Sequence, residues 1–102
     1  MKKFISNAAL QGRIIWKRHA LQRMMERNIS RSDVKKVLIN GKIIEHYSTD
    51  HPFPSVLMFD YLKNDEPLHV VAALDKQADR CYIITAYKPD LRHFKEDFKT
   101  RR

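Results

Sequence analysis

Residues 55–88 read SVLMFDYLKNDEPLHVVAALDKQADRCYIITAYK. Runs rich in β-branched and aromatic residues at 55–63, 68–75 and 80–88 read as strands, split by the polar turns NDEP (64–67) and KQAD (76–79). Connections this short leave no room for a crossover, so neighbouring strands pair antiparallel. About the 76–79 turn, residues whose numbers sum to about 155 or 156 should face each other, which sets His69 beside Tyr87 or Lys88. In LHVVAALD both faces of the strand are apolar, and His69 is the sole polar group near its start.

Upstream, KIIEHY (42–47) is a further strand, and HPFP (51–54) is extended because each proline restricts its predecessor. Before that the period lengthens. In KRHALQRMMERNIS (17–30), Leu21, Met24 and Met25 recur at helical spacing, with His19, Arg23 and Glu26 on the other side. Ser30 and Asp33 form a capping box for a second helix, Ile29 staples onto Val34, and Gly41 takes the role that follows a helix C-terminus. These signals predict an α+β domain in which two N-terminal helices pack on an antiparallel sheet of about four strands. RIIW (13–16) is a candidate fifth strand, and Leu91, Phe94 and Phe98 give the tail a candidate short helix. The expected organisation is an arm over 1–12, one domain over 13–90 and a basic tail over 91–102.

The 102 residues suit a single domain, and their net charge of +8 is unevenly spread. Residues 1–40 carry ten Lys/Arg against two acids, 41–86 four against seven, and 87–102 six against three. Basic ends around an acidic middle make a face for a polyanion if the two ends meet in space. No apolar run is long enough for a membrane span, and a lone Cys81 excludes an internal disulfide, which points to the cytoplasm. His19, His46, His51, His69 and His93 show no metal-binding spacing, so no metal and no cofactor is expected. Only Gly12 and Gly41 are glycines, too few for a phosphate-cradling loop.

His19, Arg23, His69 and Tyr87 remain as candidate catalytic residues. RNA cleavage needs no metal when a base takes the 2′-hydroxyl proton, an acid protonates the leaving 5′-oxygen and a cation steadies the phosphorane. Histidine titrates in the right range, arginine offers a planar fork for phosphate, and tyrosine donates or stacks. A half-buried histidine making local hydrogen bonds accounts for His69 equally well.

RHALQRMMERNIS (18–30), VKKVLINGKIIEHY (34–47), PFPS (52–55), PLHVVAALD (67–75) and IITAYKPD (83–90), in that order, resemble the small bacterial family catalogued as domain of unknown function 4258. That family is similar to the RelE-like toxins. The resemblance implies a RelE-like fold and the toxin of a type II toxin–antitoxin system, a metal-independent endoribonuclease acting on mRNA, at the ribosome or free. It also implies a cognate antitoxin with a zinc-finger segment as partner. The family's recurring polar positions fall on His19, Arg23, Arg27, Ser55, His69 and Tyr87, and Asn28 stands where the family often has glycine. On this reading His69 and His19 exchange the protons, Arg23 holds the phosphate and Tyr87 supports it. Lys17, Arg18, Arg27 and Lys88 bind the RNA backbone. The alternative is a non-catalytic RNA- or protein-binding module using the same basic face.

Overall fold

A computed structural model describes residues 1–102, the side chain of Asn64 excepted. The elements run α1 (Lys2–Leu10), β1 (Ile14–Trp16), α2 (Arg18–Glu26), α3 (Arg31–Asn40), β2 (Lys42–Tyr47), β3 (Ser55–Tyr61), a 3₁₀ turn (Lys63–Asp65), β4 (Pro67–Asp75) and β5 (Arg80–Tyr87). The sheet order is β1-β5-β4-β3-β2. Strands β2 to β5 form the antiparallel meander that their short connections require, and His69 lies opposite Tyr87.

The class is α+β, but the two-helix, four-stranded antiparallel arrangement of RelE-like type is not what forms. The described residues form three α-helices and a five-stranded mixed sheet. Residues 2–10, expected in an arm, are helix α1, which buries Ile5, Ala8 and Ala9 at helical spacing. Alanines bury little area each, so their stripe is weak in the sequence and gains its force from packing. At Gly12 (φ 73°) the chain turns in the left-handed region that glycine enters freely. β1 then runs parallel to β5, with Ile14 beside Cys81.

The tail is no helix either. Asp90 Oδ1 accepts the backbone N–H groups of Arg92 and His93, and Asp97 Oδ1 those of Lys99 and Thr100. Such side-chain bonds compete with a helical ladder. They hold the Asp97 carboxyl down at about 2, with the Thr100 and Lys99 amides as the main causes. Phe98 sits at φ 56°, outside any right-handed helix.

The capping box at α3 forms as read, with Ser30 Oγ accepting from Asp33 N at 3.0 Å and Asp33 Oδ2 from Ser30 N at 3.1 Å. Asn28 takes the left-handed turn at φ 58°. Gly41 is extended (φ −77°) rather than left-handed. Glycine is required there for room, because a Cβ would lie 2.5 Å from the Val37 carbonyl oxygen and 2.8 Å from that of Phe59.

All three helices cover one face of the sheet. Ile5, Ala20, Met24, Val34, Val37 and Leu38 join Val56, Met58, Leu68, Val70, Leu74 and Ile83 in one core. Among the described residues, the other face carries no helix.

Candidate active site

Alternation along β3, β4 and β5 sends every second side chain to the helix-free face. There the register aligns Phe59, His69 and Tyr87 in one row across three strands. His69 is fully buried. Its Nε2 lies 2.7 Å from the Phe98 carbonyl and its Nδ1 lies 3.2 Å from the Tyr87 hydroxyl. A carbonyl only accepts, so the hydrogen-bond network assigns the proton to Nε2. Burial pushes the His69 pKa below its ordinary value, against the Phe98 carbonyl and Glu45, which pull it up. In the neutral ring Nδ1 is therefore a free lone pair that accepts from Tyr87 O–H. Burial also raises the Tyr87 phenol.

The tail completes this environment. Phe94 packs edge-on to His69 at 4.6 Å between ring centroids. Arg101 donates Nε–H to Glu45 Oε2 at 2.8 Å and a terminal N–H to Glu45 Oε1 at 3.1 Å. Burial alone would raise the Glu45 carboxyl, but the hydrogen bonds from Arg101 and the Tyr47 hydroxyl outweigh it and hold it low.

Where the tail meets the end of β5, Tyr87, Lys88, Asp90, His93, Phe94 and Arg101 line a cleft of about 190 Å³. His93 Nδ1 lies 2.9 Å from Asp90 Oδ1. Lys88 pairs with Glu66 at 3.2 Å, and Arg101 keeps N–H donors beyond the two that Glu45 accepts. The cleft thus gathers a tyrosine backed by a neutral histidine, a histidine backed by a carboxylate, and two permanent cations. That set can remove one proton, deliver another and hold an anion between them. A shallower hollow of about 650 Å³ at the α2–α3 turn holds no histidine.

The other candidate residues lie elsewhere. His19 and Arg23 are exposed on α2, which packs on the covered face through Ala20 and Met24. The charges felt by His69 are Glu45 and Arg101, and Arg23 instead pairs with Glu26 at 3.4 Å. His19 and His69 are therefore not brought together. Arg27 reaches the Ala86 carbonyl at 2.9 Å and Thr85 Oγ1 at 3.3 Å along β5. Arg18 is exposed at the start of α2, and Lys17 lies over the Tyr82 ring at 5.3 Å. Ser55 is buried and donates to Asp50 Oδ2 at 2.6 Å. Cys81 is fully buried and its thiol is pushed up to about 11 by burial, so it is inert packing.

Sequence reasoning did not single out Glu45, Asp90, His93 or Arg101 for this site. The signal available was the return of positive charge after residue 87, together with an acid three residues before His93.

Among the described residues no group of three His, Cys, Asp or Glu side chains is placed to hold a metal ion. No helix among them is long and apolar enough to cross a membrane. A family model described as Domain of unknown function (DUF4258) matches residues 16–88. No curated protein and no solved structure matches the chain.

Proposed function

We infer, of a chain that belongs to the DUF4258 family, that it is a metal-independent endoribonuclease, the cytoplasmic toxin of a toxin–antitoxin pair. The toxin role, the kinship with RelE-like toxins and the zinc-finger antitoxin rest on the family resemblance. The chemistry rests on one observation, the Nδ1 lone pair of a neutral His69 bonded to a tyrosine that lines a cationic cleft.

With RNA in the cleft, the 2′-hydroxyl gives its proton to Tyr87 Oη as the phenolic proton passes to His69 Nδ1. The 2′-oxygen then attacks the adjacent phosphorus. Lys88 and Arg101 stabilise the phosphorane charge. His93, oriented by Asp90, protonates the departing 5′-oxygen, which leaves a 2′,3′-cyclic phosphate and a 5′-hydroxyl. Glu45 favours the transient imidazolium of His69. Lys17, Arg18 and Arg27 serve as RNA-backbone contacts outside the cleft.

A specific observation favours the second reading, a non-catalytic RNA- or protein-binding module. His69 is fully buried with both ring nitrogens bonded internally, as a tail anchor would be. His69→Gln separates the two, because glutamine can still accept from Tyr87 and donate to Phe98 but cannot take up a proton. Catalysis predicts a loss of cleavage of roughly 10²–10⁴-fold with fold and RNA affinity kept, EDTA without effect, and no cut at a 2′-deoxy position. Full cleavage by His69→Gln removes His69 from the chemistry, whereas salt-sensitive RNA binding with no cleavage by the wild type establishes the module instead.

A further inference from the structure

The helix-free face has a second hollow at its other end, about 340 Å³ and lined by Lys17, Asp50, Phe53, Ser55, Ala73 and Tyr82 among others. Register explains it. Ser55, Ala73 and Tyr82 form one cross-strand row, and the small Ala73 leaves a gap between its neighbours. The 50–54 segment closes one side, and Phe53 stacks on Tyr82 with centroids 5.5 Å apart and planes 9° from parallel. Lys17 and Arg80 lie over the Tyr82 ring at 5.3 and 5.4 Å. None of these contacts belongs to the cleft at Tyr87.

We propose that this hollow binds a nucleobase of single-stranded RNA, with guanine as its preferred occupant. The Phe53–Tyr82 pair is an aromatic wall of the kind unpaired bases stack on, and a base reaches it by displacing Lys17 from the Tyr82 ring toward its own phosphate. Lys17, which lines the hollow, supplies positive charge for the attached phosphate, while Arg80 is paired with Asp75 at 3.7 Å. The Asp50 carboxylate selects the base. It has about four acceptor sites, of which Ser55 Oγ takes one. The Watson–Crick edge of guanine presents two adjacent N–H donors, and a carboxylate oxygen pair receives both. Adenine and cytosine present a donor beside an acceptor, which faces a lone pair with a lone pair. Uracil has a single donor.

The hollow also stands at a useful distance. Ala73 is four residues along β4 from His69, about 13 Å at 3.3 Å per residue. An extended strand covers that in a few nucleotides, with Val71 and Thr85 half-buried on the face between. This inference rests on the endoribonuclease reading for its role alone: it makes the hollow the subsite that chooses where the RNA is cut.

The test uses the full chain and the four nucleoside 5′-monophosphates at millimolar concentration, followed by amide NMR shifts. GMP should give saturable shifts centred on Ser55, Ala73 and Tyr82, with AMP, CMP and UMP weaker. Tyr82→Ala should weaken GMP by roughly 5–150-fold. Asp50→Asn keeps an acceptor for Ser55 but swaps one guanine acceptor for a donor, so it should bring GMP down to the AMP level. Ala73→Leu fills the floor and should exclude all four. GMP shifts elsewhere on the chain, or shifts that Tyr82→Ala leaves intact, overturn the site. Equal binding of all four nucleotides overturns the guanine assignment. GMP bound here by a chain that cuts no RNA would refute the endoribonuclease and leave the subsite standing, whereas RNA cleavage without GMP binding would do the reverse.

Discussion

Leu68 and His69 are neighbours in β4, and both are fully buried. Leu68 enters the layer between sheet and helices, where its surroundings are aliphatic. His69 enters the opposite layer, where its neighbours are two phenylalanine rings, a phenol and a backbone carbonyl. Equal burial thus conceals two kinds of interior. The covered face is held by area removed from water, which is indifferent to direction. The helix-free face is closed by a tail and held by directional bonds, each of which must find its partner. Stability concentrates on the first and the proposed chemistry on the second, although the same strands supply both.

The sharpest way to break that contrast is at Tyr87. Tyr87→Phe keeps the ring and removes the hydroxyl bonded to His69. Cleavage should fall by roughly 10²–10⁴-fold, while orphaning the buried His69 Nδ1 should cost about 1–3 kcal/mol, so a larger loss of stability would put Tyr87 on the structural side.

Leu68→Ala should do the opposite. It leaves a cavity in the aliphatic layer and should cost about 2–5 kcal/mol by denaturant unfolding, while the folded fraction cuts RNA at the wild-type rate. A cost under about 1 kcal/mol would show that this face is not the stabilising one.

Ser30→Ala probes the covered face more gently. Loss of the reciprocal cap should cost about 1 kcal/mol, with cleavage untouched. Arg101→Ala removes a pair whose side chains are 52% and 21% exposed, so solvent screening limits its cost to about 0.2–1 kcal/mol. Its effect should be local, with faster amide exchange over the tail and none over α3. Loosening of α3 would mean that the two faces are coupled.

The smallest effect is an acid one. The His69 pKa lies below its ordinary 6.5, so the unfolded chain takes up this proton more readily than the folded one. That contribution to stability is full above pH 6.5 and is lost as pH falls through the folded value. Glu45 is held below its ordinary 4.5, so its contribution is full above pH 4.5 and is lost at still lower pH. Acidification should therefore perturb the Phe94 and Phe98 ring resonances in two steps, and His69→Gln should remove the first. A single step in the wild type would show that the tail is not held by His69.

His93 sharpens the comparison within the helix-free face itself. Its replacement by alanine should slow cleavage of ordinary RNA but spare a substrate whose leaving group departs without a proton. Equal loss on both substrates would place His93 outside proton transfer.

Much of this molecule was legible as sequence because much of it is set locally. The periods of 3.6 and 2 placed α2, α3 and β2 to β5, although Met25, read into the apolar stripe of α2, is exposed and Ala20 is buried with Met24 instead, and the capping box fixed where α3 begins. The four-residue turn put His69 opposite Tyr87, since a short connection leaves few registers open. Tertiary structure alone decided the rest. Ile14 finds Cys81 only after the intervening meander exists, so a three-residue strand could not announce a parallel partner. The tail's aspartates spoil its helix, and its aromatic rings then find their burial on the free sheet face, which seals His69 and brings Asp90, His93 and Arg101 to Tyr87. The His19 side of α2 was separated from His69 by packing, because Ala20 and Met24 draw that helix onto the other face. Local free energies are written in neighbouring residues, whereas a site assembled across the chain depends on which surfaces remain uncovered once the core has formed.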